Sequence, residues 1–367
     1  MKDQLYSTKL SINSSSLEKN LNYFKSNNKG TKIIAMVKAN AYGHGDIQIT
    51  KKLEYFGVEY FGVADFEEGI RLRKNQISSR IMVMNPSVNS LSAIIRYNLE
   101  PVIYNIELFN SLIQCSKALK SKNKIYFHVK INTGMNRWGF DIIELPTLIK
   151  NIKNNPQLIL TSLYSHLSSS ETQANDSFTL SQIKKIINCQ QIFLDYLGDL
   201  YPTHILNSSG TLRQFKSNNN FNLCRIGMLL YGGINHPEIS PISELSSTIL
   251  QIRQIQKNES VGYYRNFIAK KKMKIALIPF GYADGLQRSW GNGVLKFYYN
   301  GHFLPTVGHI SMDSCIVDVS CIENISIGDE IYFFCNKRPV WDLARELNTI
   351  SYEILSTLSQ RIKRIIY

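Results

Sequence analysis

The chain has 367 residues, of which 44% are hydrophobic and 19% are charged. This balance is typical of a folded chain and excludes an intrinsically disordered one, and at roughly 150 residues per domain the length predicts two or three domains. The 42 basic and 28 acidic residues give a formal net charge of +14. Because the basic residues are spread along the chain and form no concentrated patch, we expect no nucleic-acid partner.

The sequence shows none of the signals of a membrane or secreted protein. Its six cysteines include no Cys-x-x-Cys pair, which argues against a zinc framework and against the disulfide scaffold of a small secreted domain. No apolar run approaches the ~18 residues of a membrane span. The first residues, Met1–Gln4, lead into an alternating, strand-like segment and not into a signal peptide. We therefore expect reduced cysteines, a cytoplasmic location and no membrane partner.

The first 230 residues alternate short apolar segments with helical patterns. In chain order, the strand candidates are Lys32–Val37, Tyr60–Ala64, Arg80–Met84, Pro101–Tyr104, Ile125–Ile131, Leu158–Tyr164, His204–Leu206 and Leu223–Arg225. The helical patterns between them include Leu17–Lys25, Phe66–Lys74, Ile106–Lys120 and Leu180–Leu197. Eight strands alternating with helices predict an α/β fold of the (β/α)8 TIM-like barrel type. An open doubly wound sheet is the alternative, but no GxGxxG loop follows the first strand.

The pattern changes after Gly232 and Gly233, where strand candidates follow one another without long helices. They are Leu245–Gln254, Lys274–Pro279, Val294–Tyr299, Ser314–Val319 and Glu330–Phe334, and two helical patterns, near Trp341–Leu347 and Ser351–Ile362, end the chain. We predict a cofactor-binding barrel over residues 1–239 and a mostly β C-terminal domain over residues 240–367. The first strand, at about residues 4–12, is a candidate member of the β domain.

Lys38 directly follows the first apolar strand of the predicted barrel. Barrel enzymes place their catalytic groups at the carboxyl ends of the strands. Burial lowers the pKa of a lysine and makes its amine a nucleophile toward an aldehyde. The alternative is a structural lysine that extends along the barrel rim to reach solvent.

Other strand ends of the predicted barrel carry basic side chains as well. Lys130 and Arg137 follow the fifth strand, His166 the sixth and Arg225 the eighth. Each of them alone could be an ordinary rim residue, but together they require an anion at the barrel mouth.

Two further segments offer backbone N–H groups to such an anion. Ser208 begins a predicted helix and Gly227 lies in a short turn, and both arrangements suit a phosphate. A reactive lysine, a phosphate site and an arginine for a ring nitrogen together predict pyridoxal 5′-phosphate, bound as a Schiff base.

The segment Val37–Gly45 resembles the cofactor-lysine signature of the alanine racemase family, and the resemblance continues over nearly the whole chain. Phe280–Gly285, Val307–Asp313 and Ser351–Leu355 are similar to further motifs of the family. The resemblance implies a barrel plus a β domain, a pyridoxal phosphate cofactor, alanine as substrate and D-alanine biosynthesis for the cell wall. It also implies a homodimer in which the β domain of one subunit covers the barrel mouth of the other.

The resemblance also assigns roles to individual residues. Lys38 would hold the cofactor and act as one catalytic base, and Tyr263 of the partner subunit would be the opposite base. The implied cofactor-binding residues are Lys38, Tyr42, His166, Ser208, Arg225, Gly227, Met228 and Tyr352. Arg137 and Met312 would bind substrate, Lys130 matches a position that is N-carboxylated in many members, and Tyr282 would narrow the entrance.

Three ambiguities accompany these assignments. Tyr264 is adjacent to Tyr263, although the spacing to Tyr282 favours Tyr263. Trp138 stands where leucine is common in the family, and His309 stands where arginine is common, so the entrance shape and the side-chain preference are open. The alternative functions are a broad-specificity amino-acid racemase, a barrel-type amino-acid decarboxylase, which would need an acidic residue at the ring nitrogen, and a non-enzymatic binding protein.

Overall fold

The computed structural model describes residues 7–119, 123–213 and 221–367. Residues 4–6 of the predicted first strand and Lys120, the predicted end of one helix, lie outside the described residues. Within the described part, no helix is long and apolar enough to cross a bilayer. Contacts along the chain define two compact units, one formed by residues 24–41 and 46–230, the other by residues 1–23, 42–45 and 231–367.

Strands and helices have the following bounds. The strands are β1 (Thr8–Ile12), β2 (Lys32–Met36), β3 (Tyr60–Val63), β4 (Arg80–Val83), β5 (Glu100–Ile103), β6 (Ile125–Lys130), β7 (Leu158–Tyr164), β8 (Thr203–His204), β9 (Leu223–Ile226), β10 (Ser243–Thr248), β11 (Gln251–Ile255), β12 (Ser260–Val261), β13 (Phe267–Ile268), β14 (Met273–Ile278), β15 (Lys296–Tyr299), β16 (His302–Pro305), β17 (Cys315–Asp318), β18 (Glu330–Phe334) and β19 (Lys363–Ile366). The helices are α1 (Ser14–Asn27), α2 (Lys38–Tyr42), α3 (Asp46–Tyr55), α4 (Phe66–Lys74), α5 (Leu91–Arg96), α6 (Ile106–Ala118), α7 (Leu145–Lys153), α8 (Asp176–Leu197), α9 (Ser208–Leu212), α10 (Val340–Glu346) and α11 (Ser351–Ser356).

Strands β2–β9 form one eight-stranded parallel sheet in the order β8-β7-β6-β5-β4-β3-β2-β9. The two ends of this order meet, because the backbone N–H of Arg225 in β9 donates to the carbonyl of Leu206, two residues beyond β8, at 3.1 Å. The sheet is therefore a nearly closed barrel, as the alternation of strands and helices predicts, and the prediction of a TIM-like barrel is confirmed.

The barrel elements lie close to their predicted bounds because the local signals are strong. Helix α4 occupies the predicted residues, since Asp65 caps its start by accepting the backbone N–H of Glu68 at 3.0 Å. Strands such as β3 and β4 read as continuous apolar runs, because helices cover the outside of a parallel barrel and side chains fill its inside.

The second unit is mostly β, which confirms the second part of the predicted fold class. A six-stranded sheet has the order β16-β15-β18-β10-β1-β19, and β11, β14 and β17 form a separate three-stranded sheet. The predicted single strand Leu245–Gln254 is wrong, because β10 and β11 belong to different sheets. The chain changes sheet at Ile249 and Leu250, whose backbone N–H groups donate to Asp329 and Leu277 respectively.

The predicted final helix, Ser351–Ile362, is also wrong in its second half. Helix α11 ends at Ser356, and the last residues form β19, which pairs in parallel with β1. The helix ends there because the backbone N–H of Ser359 donates to the carbonyl of Asp284 at 3.0 Å, outside the helix.

Candidate active site

The turn that follows β2 carries Lys38. Ala39, Asn40, Ala41 and Tyr42 of α2 have φ angles of 52°, 55°, 51° and 52°, so four consecutive residues other than glycine have the positive φ of the left-handed region. Each such residue costs about 1–2 kcal/mol. A turn of this kind persists only where its surroundings hold it in place.

Helix α4 supplies two of the contacts that hold this turn. Glu68 accepts the backbone N–H of Ala39 on Oε1 at 2.6 Å and that of Ala64 on Oε2 at 2.7 Å. Arg71, one turn further along the helix, forms an ion pair with Asp46 at 2.5 Å. The backbone N–H of Asp46 in turn donates to Oδ1 of Asn40 at 3.0 Å. The strained turn is thus held through its first two left-handed residues, Ala39 and Asn40.

Two lysines at the carboxyl ends of barrel strands have lowered pKa values. Burial lowers the pKa of Lys38, and the positive charges of Arg137 and Arg225 lower it further, while the nearby carboxylate of Glu68 opposes this. Burial and the charges of Arg225, Arg137 and Lys38 lower the pKa of Lys130 to about 7. These mutual effects show that the four cations predicted to meet at the barrel mouth lie close together.

Trp138 and Tyr164 are the aromatic neighbours of Lys130. The ammonium lies 5.0 Å from the ring centre of Trp138 and 5.4 Å from that of Tyr164, and Trp138 stacks on Tyr104 with ring centres 5.9 Å apart. Trp138 thus forms part of the site's wall. Tyr164 is fully buried, and its hydroxyl has no hydrogen-bond partner among the residues that the structure describes.

Arg225 is 3% exposed and is held on several sides. Its Nη1 donates to Nδ1 of His204 at 2.5 Å, and its Nη2 donates to the carbonyl of Ser165 at 2.5 Å. The guanidinium lies 4.9 Å from the ring centre of Tyr164. His166, expected beside Arg225, has Nδ1 3.2 Å from Nη2.

Both histidines beside Arg225 are in the neutral form. Burial and the charge of Arg225 hold the pKa values of His166 and His204 well below their usual range. A neutral imidazole has one nitrogen free to accept a hydrogen bond, as Arg225 requires.

Ser208 and the turn after β9 meet at the start of α9. Asn207 caps this helix by accepting the backbone N–H of Gly210 at 2.8 Å. The hydroxyl oxygen of Ser208 accepts the backbone N–H groups of Gly227 at 3.2 Å and Leu229 at 3.4 Å. Met228 lies between these two residues and is buried. The segments predicted to bind phosphate are therefore adjacent.

The groups brought together in the barrel unit fit pyridoxal phosphate. They include four cationic side chains, among them Lys38 with its lowered pKa, the hydroxyl of Ser208, and the buried hydroxyl of Tyr164, which lacks a described partner. A set rich in donors and cations calls for an anionic ligand that accepts hydrogen bonds. A phosphate, a phenolate oxygen and a ring nitrogen supply those acceptors, and a lysine amine joins an aldehyde.

The remaining predicted site residues lie in the other unit. The ring of Tyr42 lies 5.9 Å from that of Tyr352, centre to centre. Tyr263 is 66% exposed and Met312 is 54% exposed, and Tyr282 is also exposed. Tyr263 begins a short turn in which Tyr264 has a φ of 61°.

The sequence analysis missed His204 and Glu68 as residues that contact Arg225 and the Lys38 turn. His204 begins a predicted strand, and nothing in the sequence shows which side chain its ring meets. Glu68 lies in a predicted helix that several charged residues share. The one signal in the sequence is that His204 is a polar residue in an otherwise apolar predicted strand, since a polar side chain that becomes buried needs a hydrogen-bonding partner.

Comparisons with known proteins cover both units. The family model for the N-terminal domain of alanine racemase matches residues 12–235, and that for the C-terminal domain matches residues 242–366. The alanine racemase of Aquifex aeolicus (strain VF5) is 33% identical over 363 residues, which cover 97% of this chain and 98% of that protein.

Solved structures show the same similarity. That of an alanine racemase from Clostridium difficile 630 has a TM-score of 0.90 at 28% identity, over 98% of this chain and 96% of that one. Alanine racemase from Bartonella henselae, solved with covalently bound pyridoxal phosphate, has a TM-score of 0.86 at 28% identity, over 98% of this chain and 99% of that one.

Proposed function

Because the chain belongs to the alanine racemase family, we propose that it is a pyridoxal-phosphate-dependent enzyme that interconverts L-alanine and D-alanine. The observation that carries this proposal is the convergence of Lys38, Arg137 and Arg225, each from a different barrel strand or the loop after it, on one cationic site. Family membership supplies the reaction class, and this geometry supplies the groups that the reaction needs.

When bound, pyridoxal phosphate delocalises the electron pair that remains after the α-proton of the amino acid leaves. Lys38 would hold its aldehyde carbon, and Arg225 would donate to its ring nitrogen. Since arginine remains protonated, that nitrogen would stay unprotonated, which weakens the electron sink and disfavours decarboxylase and transaminase side reactions. Ser208, with the backbone of Gly227 and Met228, would bind the phosphate together with Tyr42 and Tyr352.

Two bases on opposite faces of the substrate would move the proton. The lowered pKa of Lys38 raises the fraction of free amine at neutral pH, so that the amine accepts a proton more readily. We assign the opposite base to Tyr263 of a second copy of the chain and a backbone contact near the substrate carboxylate to Met312 of that copy. The exposure of both residues supports this assignment, because it leaves them accessible to a partner.

Lys130 is proposed to carry an N-carboxyl group. A pKa of about 7 leaves much of its amine neutral at physiological pH. A neutral amine adds to carbon dioxide and releases one proton, forming a carbamate. The carbamate would replace the positive charge of Lys130, which repels Arg137, by a negative charge that pairs with Arg137.

We further infer a homodimer with shared sites in the cytoplasm. Cys115, Cys189, Cys315, Cys321 and Cys335 form no disulfide among the described residues, which accords with a reducing compartment. Tyr263, Tyr264 and Met312 are large exposed side chains, and tyrosine and methionine are enriched at interfaces.

Incubation of the purified protein with L-alanine in deuterated water tests the reaction. We expect D-alanine labelled at Cα, and we expect turnover to be lost in Lys38→Ala and strongly reduced in Tyr263→Phe. Turnover in Lys38→Ala equal to the wild type would overturn the proposal. Release of carbon dioxide would favour the decarboxylase, and equal racemisation of a panel of L-amino acids would favour the broad-specificity racemase.

Co-expression of Lys38→Ala with Tyr263→Phe tests the shared site. Random pairing makes half of the dimers mixed, and a mixed dimer has one site in which both bases are intact. About a quarter of the wild-type rate is therefore expected from two nearly inactive variants. If the bases came from one chain, every site would carry a defect and no activity would return.

A further inference from the structure

A continuous line of hydrogen-bonded polar side chains runs through the inside of the barrel, behind Arg225. Its members, here called the barrel relay, lie on six different strands and are each less than 9% exposed: Tyr60, Glu100, His128, Ser162, His204 and Arg225. From Glu100 in β5 to Arg225 in β9, the relay advances one strand at a time. Tyr60 in β3 contacts Glu100 directly although β4 lies between their strands, so the contact crosses the barrel interior.

The Arg225 end sets the direction of the hydrogen bonds. Arginine offers only donors, so Nδ1 of His204 must accept from Nη1 at 2.5 Å. The proton of the neutral His204 ring then lies on Nε2. That nitrogen is 2.9 Å from Oγ of Ser162, to which it donates.

The middle of the relay continues in the same direction. Having accepted from His204, the hydroxyl of Ser162 donates its own proton to Nδ1 of His128 at 2.7 Å. The proton of the His128 ring therefore lies on Nε2, which is 2.6 Å from the hydroxyl oxygen of Tyr60 and 3.0 Å from Oε2 of Glu100, and both oxygens accept from it.

The Glu100 end requires the same arrangement independently. An ionised carboxylate only accepts hydrogen bonds. Glu100 accepts them from Nε of Arg80 at 2.6 Å, from Nη2 of Arg80 at 2.8 Å and from the hydroxyl of Tyr60 at 2.5 Å. Burial raises the pKa of Glu100, but contacts with His128 and Arg80 outweigh it and lower the pKa to about 2. Burial lowers the pKa of His128, so we describe the pair as ionised Glu100 and neutral His128.

The Arg225 end and the Glu100 end of the relay thus require the same placement of protons, on Nε2 of both histidines. With this placement, each hydrogen bond of the relay joins one donor to one acceptor. We propose that Ser162, His128 and Glu100 are positioning residues that hold His204 in its Nε2–H form, so that His204 accepts from Arg225 and fixes the guanidinium plane. The relay moves no proton during turnover. The inference rests on the proposed function only in assigning the cofactor ring nitrogen to Arg225.

The direct test is ¹⁵N NMR of histidine-labelled protein carrying its cofactor, since the two ring nitrogens report the tautomer. In the wild type we expect His204 and His128 to be neutral and protonated on Nε2, and His204→Gln and His128→Gln identify their signals. Protonation of either ring on Nδ1, or a charged imidazolium at pH 7, would overturn the relay. This measurement needs no activity, so a failure of the proposed reaction leaves it intact.

Ser162→Ala removes the central link with little change of volume. We expect a mixture of His204 tautomers, a fall in kcat of about tenfold and a KM within about twofold. Ser116→Ala, at another buried serine on α6, is the matched control and should change neither the tautomers nor kcat. Unchanged tautomers and an unchanged rate in Ser162→Ala would contradict the positioning role.

Ser162→Thr provides the conservative comparison because it keeps the hydroxyl. We expect it to restore the single Nε2–H tautomer of His204, even where the added methyl group lowers stability. A tautomer mixture in a folded Ser162→Thr protein, the same as in Ser162→Ala, would show that the hydroxyl is not what orders the relay.

Discussion

The carboxylate of Glu68 accepts the backbone N–H of Ala39 at 2.6 Å, one residue after Lys38. The second carboxylate oxygen of Glu68 accepts the backbone N–H of Ala64, at the end of the neighbouring strand. One side chain of α4 therefore joins the ends of two barrel strands at the point where the left-handed turn begins. The position of the Lys38 amine depends on this contact, although Glu68 carries no role in the sequence-derived site.

The first prediction concerns Glu68→Gln. The amide keeps one acceptor, but its NH2 group must face one of the two backbone N–H groups, so we expect a loss of about 1–3 kcal/mol of stability and about tenfold in kcat. Removing the negative charge also lowers the pKa of Lys38 further. Urea unfolding and the pH profile of turnover measure these effects. The adjacent, exposed Glu67→Gln is the control, and equal behaviour of the two variants would contradict the role of Glu68.

The second prediction concerns carbon dioxide at Lys130. Because its pKa is about 7, the reactive amine becomes scarce as the pH falls below 7 and plentiful above it. With ¹³C-labelled bicarbonate, we expect a carbamate signal in ¹³C NMR that weakens from pH 8 to pH 6 and is lost in Lys130→Ala. Lys150→Ala, at an exposed lysine of α7, should keep the signal. A carbamate signal that persists in Lys130→Ala would disprove the assignment of the carbamate to Lys130.

The third prediction is a pH dependence of stability caused by Glu100. Its pKa falls from the usual 4.5 to about 2 on folding, so its contribution is complete above about pH 4.5 and is lost as the pH falls toward 2. The difference corresponds to at most about 3 kcal/mol, because a neutral His128 contributes a hydrogen bond and no charge. Urea unfolding of the wild type and Glu100→Gln should show a gap at pH 7 that narrows below pH 4.5.

Glu107→Gln, at an exposed position of α6, serves as the control for Glu100→Gln. It should match the wild type in urea unfolding at every pH. A gap between Glu100→Gln and the wild type that is constant from pH 7 to pH 3 would show that Glu100 is not ionised by its contacts with Arg80 and His128.

The fourth prediction separates backbone strain from steric conflict at two glycines. Both have positive φ, 82° at Gly43 and 77° at Gly30, but a Cβ at Gly43 would lie 1.9 Å from the carbonyl oxygen of Leu355, whereas one at Gly30 would meet nothing within 4 Å. Gly30→Ala should cost about 1 kcal/mol. Gly43→Ala should cost several times more in thermal unfolding, and equal melting temperatures for the two variants would be the contrary result.

Much of the barrel could be predicted because burial on both faces gives strands continuous apolar runs, and polar residues at their ends stand out against them. Lys38, Lys130, Arg137, His166 and Arg225 were found in this way, and the structure places them in one unit. Their chemical roles remain predictions.

The contacts inside the barrel could not be predicted. His128, Ser162 and His204 are single polar residues within apolar strands, and which of them meet depends on the register of neighbouring strands. The left-handed turn has no local signal either, since Ala39 and Ala41 do not favour positive φ. In the β unit, the chain passes from one sheet to the other at Ile249. This change depends on hydrogen bonds to residues far away in the sequence, so no local pattern predicts it.

Strand β1 lies between β10 and β19, so residues 8–12 reach both neighbours only after residues 363–366 exist. At roughly 5–20 amino acids per second, a ribosome needs roughly 20 to 70 seconds to add the 350 residues between Ile12 and Lys363. Through that interval the nascent segment has an unsatisfied edge open to chaperones or to wrong partners. The six-stranded sheet is therefore completed late, by strands that lie far apart along the chain.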